Sequence, residues 1–247
     1  MQNYTRYAIE QTLSLLAIDS PSGYTSRAAE WVRDAFTALG FEAHLTVKGG
    51  VLADLGGTDL DNALLLEAHT DTLGAMVAEI KSDGRLRVTP LGGMCAENGE
   101  AENVRVYTRD GRVYEGTLQL CNASVHVNPN YRDTKRSFDT TEVVLDSDTS
   151  SADGTRALGI RVGDIVCFEP RARVTDTGYI KSRFLDDKLS VGILLALAKY
   201  IRDNSITPSR RVYVHVTVYE EVGHGYERSH EDGVKNTLLV LRGYLGI

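Results

Sequence analysis

The chain has 247 residues, 42% hydrophobic and 25% charged, and a formal net charge of −7. That length accommodates one large domain or two of ordinary size, and the composition is that of a soluble globular protein with apolar surface enough for a sizeable core. The acidic balance, with no stretch enriched in Lys and Arg, argues against a general nucleic-acid binder.

The opening MQNYTRYAIEQTLSLLAIDS has no basic leader followed by an apolar stretch, so no signal peptide is expected. Residues 5–18 place Ala8, Ile9, Leu13, Leu16 and Ala17 at a helical period, which Pro21 and Gly23 then break. A second amphipathic helix is expected over 26–39, with Ser26 as N-cap and Gly40 at the C′ position. Strands follow at Phe41–Val47, Gly50–Leu55 and Ala63–Glu67. The last run, ALLLE, is apolar throughout, as a strand buried on both faces of a mixed sheet would be.

From Leu73 the texture changes. Short alternating stretches are punctuated by Asp83-Gly84, Asp110-Gly111 and Asp153-Gly154, and VRVYTRDGRVYEG is a hairpin signal. Polar LDSDTSSADGTRALG at 145–159 reads as a loop. Residues 73–167 are therefore expected to form a small all-β domain, inserted into an α/β domain made of 1–72 and 168–247. Cys95, Cys121 and Cys167 are odd in number and in no CxxC pairing, the pattern of reduced cytosolic thiols. A cytoplasmic location follows as an expectation.

Helical character returns in DKLSVGILLALAKYIRD at 187–203. Its apolar stretch, around Val191–Ala198, is the longest in the chain and too short to span a bilayer. RRVYVHVTVY at 210–219 is a strand alternating Val212, Val214, Val216 and Val218 with Tyr213, His215, Thr217 and Tyr219, and a final strand is expected at Thr237–Leu241. His215 reads as packing; His44 and His230 read as surface residues.

Ligands of open α/β sheets bind beyond the carboxyl ends of strands. Three polar clusters lie at such places: AHTD at 68–71, FLDDK at 184–188 and EEVGHG at 220–225. Each has an ordinary structural reading: an HxD is commonly a surface pair, Asp-Asp before a helix an N-cap, and Glu-Glu at a strand end a solvated pair. Together, histidine and hard carboxylates suit zinc, cobalt or manganese. A two-metal site needs a bridging carboxylate and a separate one to take a proton.

HTD, then SRFLDDKLSVG, then YEEVGHG, with a β insert after the first, resembles metallopeptidase family 42, the tetrahedral or glutamyl-type aminopeptidases, some once labelled endoglucanases. The resemblance implies a mixed-sheet zinc-exopeptidase fold and two divalent ions, zinc, cobalt or manganese. It implies His69 on one metal, Asp186 bridging both, Glu221 on the other, Glu220 as general base, and Asp71 orienting the His69 ring. It also implies a cis bond at Asp186–Asp187, peptide substrates, and a homo-oligomer built through the β insert.

The resemblance calls for a further Asp after the next strand and a final His. Leu241 or Arg242 stands where the Asp is expected, and Ile247 ends the chain well short of a typical member. Weakly filled metal positions are expected, with the pKa of at least one of Asp186, Glu220 and Glu221 raised by crowding when metal is absent. Two alternatives stay open: an inactive assembly subunit that has lost metal ligands, and, ranked last, a metal-dependent deacylase or glycosidase.

Overall fold

The computed structural model describes residues 2–224. The expected strand at Thr237–Leu241, His230, and the positions of Leu241 and Arg242 lie outside the described residues. In chain order the elements are α1 (Gln2–Leu16), α2 (Ser26–Ala38), β1 (Glu42–Leu45), β2 (Val51–Gly56), β3 (Asp59–His69), β4 (Gly74–Ile80), β5 (Leu86–Leu91), β6 (Asn103–Tyr107), β7 (Val113–Leu120), β8 (Thr141–Leu145), α3 (Ala152–Ala157), β9 (Ile165–Phe168), β10 (Arg173–Val174), β11 (Ile180–Lys181), α4 (Leu185–Asp203) and β12 (Arg210–Thr217). The described residues divide into two compact units, 2–72 with 170–224, and Leu73–Glu169.

The first unit is a mixed sheet in the order β1-β2-β12-β3, with β12 antiparallel to β2 and parallel to β3. The valine alternation in β12 explains its layering. Val212, Val214, Val216 and Val218 are buried in one core with Leu15, Val32, Phe36, Val191, Leu195 and Ile201 from the three long helices. Tyr213, one residue out of phase, joins Leu52 in a smaller cluster, as the two-residue period of a strand requires. Helices α1 and α4 approach so closely that a Cβ on Gly192 would lie 2.1 Å from Thr12 Oγ1. Gly40, at φ +81°, ends α2 in the left-handed conformation that a C′ glycine supplies.

Two expectations are corrected here. Thr25, not Ser26, is the N-cap of α2, and its side chain makes no capping bond. In the described sheet β3 pairs only with β12, and Leu64 is 38% exposed. An apolar run records composition and does not report which faces neighbours cover.

The second unit is a closed six-stranded barrel in the order β4-β5-β8-β7-β6-β9. Closure removes the unpaired edges that so small a sheet would otherwise present. The hairpin read from VRVYTRDGRVYEG is β6–β7, with Val106 opposite Tyr114. Part of the segment read as a loop is instead the six-residue helix α3. Ser151 caps it by accepting the Gly154 N–H at 3.1 Å, so Asp153-Gly154 lies in a capped helix and not in a hairpin turn. A polar N-cap followed by Asp in the first turn is a helix start as much as a loop signal.

Candidate functional site

The site is assembled by strand register. In the parallel pair β3 and β12, His69 lies opposite Thr217, and Thr70 N–H donates to Thr217 O at 3.0 Å. Both strands leave the sheet at the same end, so Asp71 emerges beside Glu220 and Glu221, which form a single 3-10 turn with Val222. Asp71 accepts N–H bonds from Glu220 at 3.2 Å and from Glu221 at 3.3 Å. It is fully buried, and its carboxylate is thus the common acceptor for both glutamate backbones.

His69 is 1% exposed. Its Nδ1 lies 3.0 Å from the Asp71 carbonyl oxygen and 3.4 Å from Asp71 Oδ1. Asp71, expected to orient the ring, touches it, with its backbone carbonyl nearer than its carboxylate. Nε2 is left facing Asp186 Oδ1 at 3.1 Å and Glu220 Oε2 at 3.5 Å. Asp186 lies in the first turn of α4 beside Asp187, the bond between them is cis, and both have non-helical backbone angles. Asp187 Oδ2 accepts the His69 N–H at 3.3 Å. The side chain of Asp186 is 89% exposed.

Electrostatics follow from this crowding. Burial alone would lower the His69 pKa, but hydrogen bonding and charge from Asp71, with Glu220 beyond, outweigh it and raise the value to about 9. Asp71 moves the opposite way: burial would raise it, and its bonds to His69 and Ser22 hold it below the usual carboxylate range. Glu221 is pushed up to about 7, first by burial and then by Asp71, Glu220 and Asp186. A rise among the acidic residues is thus present, though burial leads it and like charge is secondary. Burial also raises Asp187.

An imidazole nitrogen beside hard carboxylates is the donor set of zinc, cobalt or manganese. Taken one pair at a time, 3.1 Å from His69 to Asp186 and 3.5 Å from His69 to Glu220 are separations that two donors on one ion adopt at bonds of ~2 Å. The residues fit a divalent metal in kind. They do not complete a shell: among the described residues no three His, Cys, Asp or Glu side chains converge on a single ion position as they stand. His215, read as packing and not as a ligand, places Nδ1 3.1 Å from Glu67 Oε1 on the neighbouring strand. Sequence reasoning missed Ser22, whose Oγ donates to Asp71 Oδ2 at 2.5 Å, and Lys188, whose buried Nζ donates to Leu15 O and Ile18 O at 3.0 and 2.6 Å. Nothing in the pattern around Ser22 distinguishes it from a turn serine; Lys188 lies within the FLDDK cluster, but its link to the end of α1 has no sequence signal.

A family model described as M42 glutamyl aminopeptidase matches residues 49–240. YhfE of Bacillus subtilis (strain 168) is 37% identical over 220 residues, which make up 89% of this chain and 64% of that protein. The solved aminopeptidase APDkam598 from the archaeon Desulfurococcus kamchatkensis is similar with a TM-score of 0.77 at 28% identity, covering 89% of this chain and 57% of that one. The Pyrococcus horikoshii TET1 peptidase, which can assemble into a tetrahedron or a large octahedral shell, shares the fold with a TM-score of 0.72 at 24% identity, over 87% of this chain and 62% of that one. The chain spans less than two thirds of the length of these relatives.

Proposed function

The chain belongs to the M42 glutamyl aminopeptidase family, a family of metal-dependent hydrolases, and from that membership we propose that it releases N-terminal residues from peptides. One observation carries the reading: His69 Nε2 faces Asp186 Oδ1 and Glu220 Oε2 while Asp71 engages the other ring nitrogen. Two divalent ions, zinc, cobalt or manganese, would be held by His69, by Asp186 as bridge and by Glu221. When bound they supply positive charge that polarises the scissile carbonyl and receives the substrate's free amine.

The chain's own residues do the rest. Asp71 holds the tautomer of His69 that leaves Nε2 free as a donor to metal. A Glu220 carboxylate oxygen accepts a proton from the attacking water and passes it to the leaving amine nitrogen as the peptide bond breaks. A second assignment, in which Glu220 is the ligand and Glu221 the base, is favoured by the 3.5 Å approach of Glu220 Oε2 to His69 Nε2. Cleavage of chromogenic aminoacyl substrates with added cobalt or zinc tests the activity. No turnover at any metal level would leave the inactive assembly subunit as the better reading.

Assembly into a homo-oligomer through the barrel is part of the same proposal. The exposed Val125 and Val127 lie between β7 and β8, and an apolar pair in water is a natural contact surface. Light scattering would show a multiple of the chain mass; a monomer at all concentrations would reject it. A cytoplasmic location is proposed from the three cysteines, all free thiols, as expected of a reducing compartment. Among the described residues no helix is long and apolar enough to cross a membrane.

A further inference from the structure

The Asp71 carboxylate has four neighbours and four lone-pair positions. Oδ1 faces His69 Nδ1 at 3.4 Å and accepts the Glu220 N–H at 3.2 Å. Oδ2 accepts the Glu221 N–H at 3.3 Å and the Ser22 hydroxyl at 2.5 Å. Three of these contacts come from the ends of β3 and β12. The fourth comes from the segment between α1 and α2, which no sequence motif connects with the site. It is also the shortest, in the range of charge-assisted O–H···O⁻ bonds.

That segment is itself anchored. Ser20 Oγ donates to Thr70 O at 2.7 Å. Thr72 N–H donates to Ser20 O at 2.9 Å, and Ser22 N–H to Thr72 O at 3.2 Å. At its start, Lys188 Nζ donates to the carbonyls of Leu15 and Ile18, the first of which also accepts the Ile18 N–H. Lys188 is buried and lies two residues after Asp186. The segment carrying Ser22 is therefore tied both to the strand end bearing His69 and Asp71 and to the helix start bearing Asp186.

We propose that Ser22 is a positioning residue for this site, acting through Asp71. Its hydroxyl fixes the rotation of the Asp71 carboxylate, so that Oδ1 is aimed at the His69 ring while the same group holds the Glu220 and Glu221 backbones. Without the hydroxyl, a buried carboxylate loses a donor and can turn about its Cβ–Cγ bond. The ring and both glutamates then lose their common reference. The inference rests on the reading of His69 as a metal ligand.

The test uses the full chain, with Co(II) as the probe, in wild type, Ser22→Ala and Ser22→Thr. Cobalt affinity is measured by chelator competition, and the visible d–d bands report ligand geometry. Hydrogen exchange of the backbone around Glu220 and Glu221 is followed in metal-free protein. Ser22→Ala is expected to weaken cobalt binding about 10–100-fold, as loss of an outer partner does, to shift the bands, and to speed exchange at the two glutamates. Ser22→Thr restores all three. Should the alanine variant not fold, Ser22→Cys, a weaker donor of similar size, is expected to give an intermediate affinity; wild-type affinity there overturns the proposal. A Ser22→Ala protein with a lower melting temperature but unchanged cobalt bands, affinity and exchange assigns Ser22 a merely structural role and also overturns it. Wild-type protein that gives no cobalt bands overturns the metal-site reading itself, and the inference with it.

Discussion

His69 Nε2 and Asp186 Oδ1 stand 3.1 Å apart although 117 residues and an entire barrel separate them in the chain. One residue ends a strand and the other begins a helix, and the sheet delivers both to one place. If this pair forms the heart of a metal site, Asp186→Asn should weaken cobalt binding by more than the ~10–100-fold cost of losing an outer partner. Asparagine keeps the shape and removes the charge. Unchanged cobalt affinity in equilibrium dialysis would exclude Asp186 as a ligand.

The two glutamates are separable by a pair of amide variants. With Glu220 as general base, Glu220→Gln should lower kcat about 10²–10⁴-fold at nearly full metal content, while Glu221→Gln should lose metal. Metal analysis alongside turnover decides the matter. The reverse pattern, metal lost with Glu220→Gln, assigns Glu220 as ligand and Glu221 as base.

Metal-free protein should lose stability as pH rises. The Glu221 carboxyl, pushed up to about 7 from an ordinary value of 4.5, binds more proton folded than unfolded across that interval. His69, raised to about 9 from 6.5, does so across the next. In both windows the folded state holds the extra proton, so the slope of stability against pH is negative. The His69 contribution is complete below pH 6.5 and gone above about 9. Melting temperatures in chelator should therefore fall from pH 5 to pH 9, and Glu221→Gln should flatten the lower half of the curve. A rise over that range would contradict the assignment.

Glu142 gives the barrel a comparable test away from the site. It is fully buried, and Lys81 Nζ and Arg85 Nη1 each reach it at 2.5 Å. Both cations keep about a third of their side chain in water, so Glu142→Gln should cost on the order of 1–3 kcal/mol rather than the larger penalty of a fully buried pair. The partners' pKa values are raised, each chiefly by hydrogen bonding to Glu142. For Lys81 that contribution is present below its unfolded pKa and is lost as pH rises through the higher folded value. Urea titration should show the destabilisation, and a wild-type midpoint would reject it.

Residue order alone was enough for the family resemblance, the helices α1, α2 and α4, the valine face of β12, and the inserted β segment. These are local properties: periodicity, turn chemistry, and short motifs whose residue types are those the chemistry needs. It also marks His69, Asp71, Asp186, Glu220 and Glu221 as one set. It could not show that β3 pairs on only one side among the described strands, or that Asp153-Gly154 sits in a helix. Both depend on which neighbours cover a segment.

Only the tertiary structure decided how the set is held. The in-register parallel pairing of β3 with β12 puts Asp71 under the backbones of Glu220 and Glu221, and Ser22 reaches the same carboxylate from 49 residues away. Such partners carry no sequence signature, because a hydrogen bond depends on where the fold brings two groups and not on how far apart they lie along the chain.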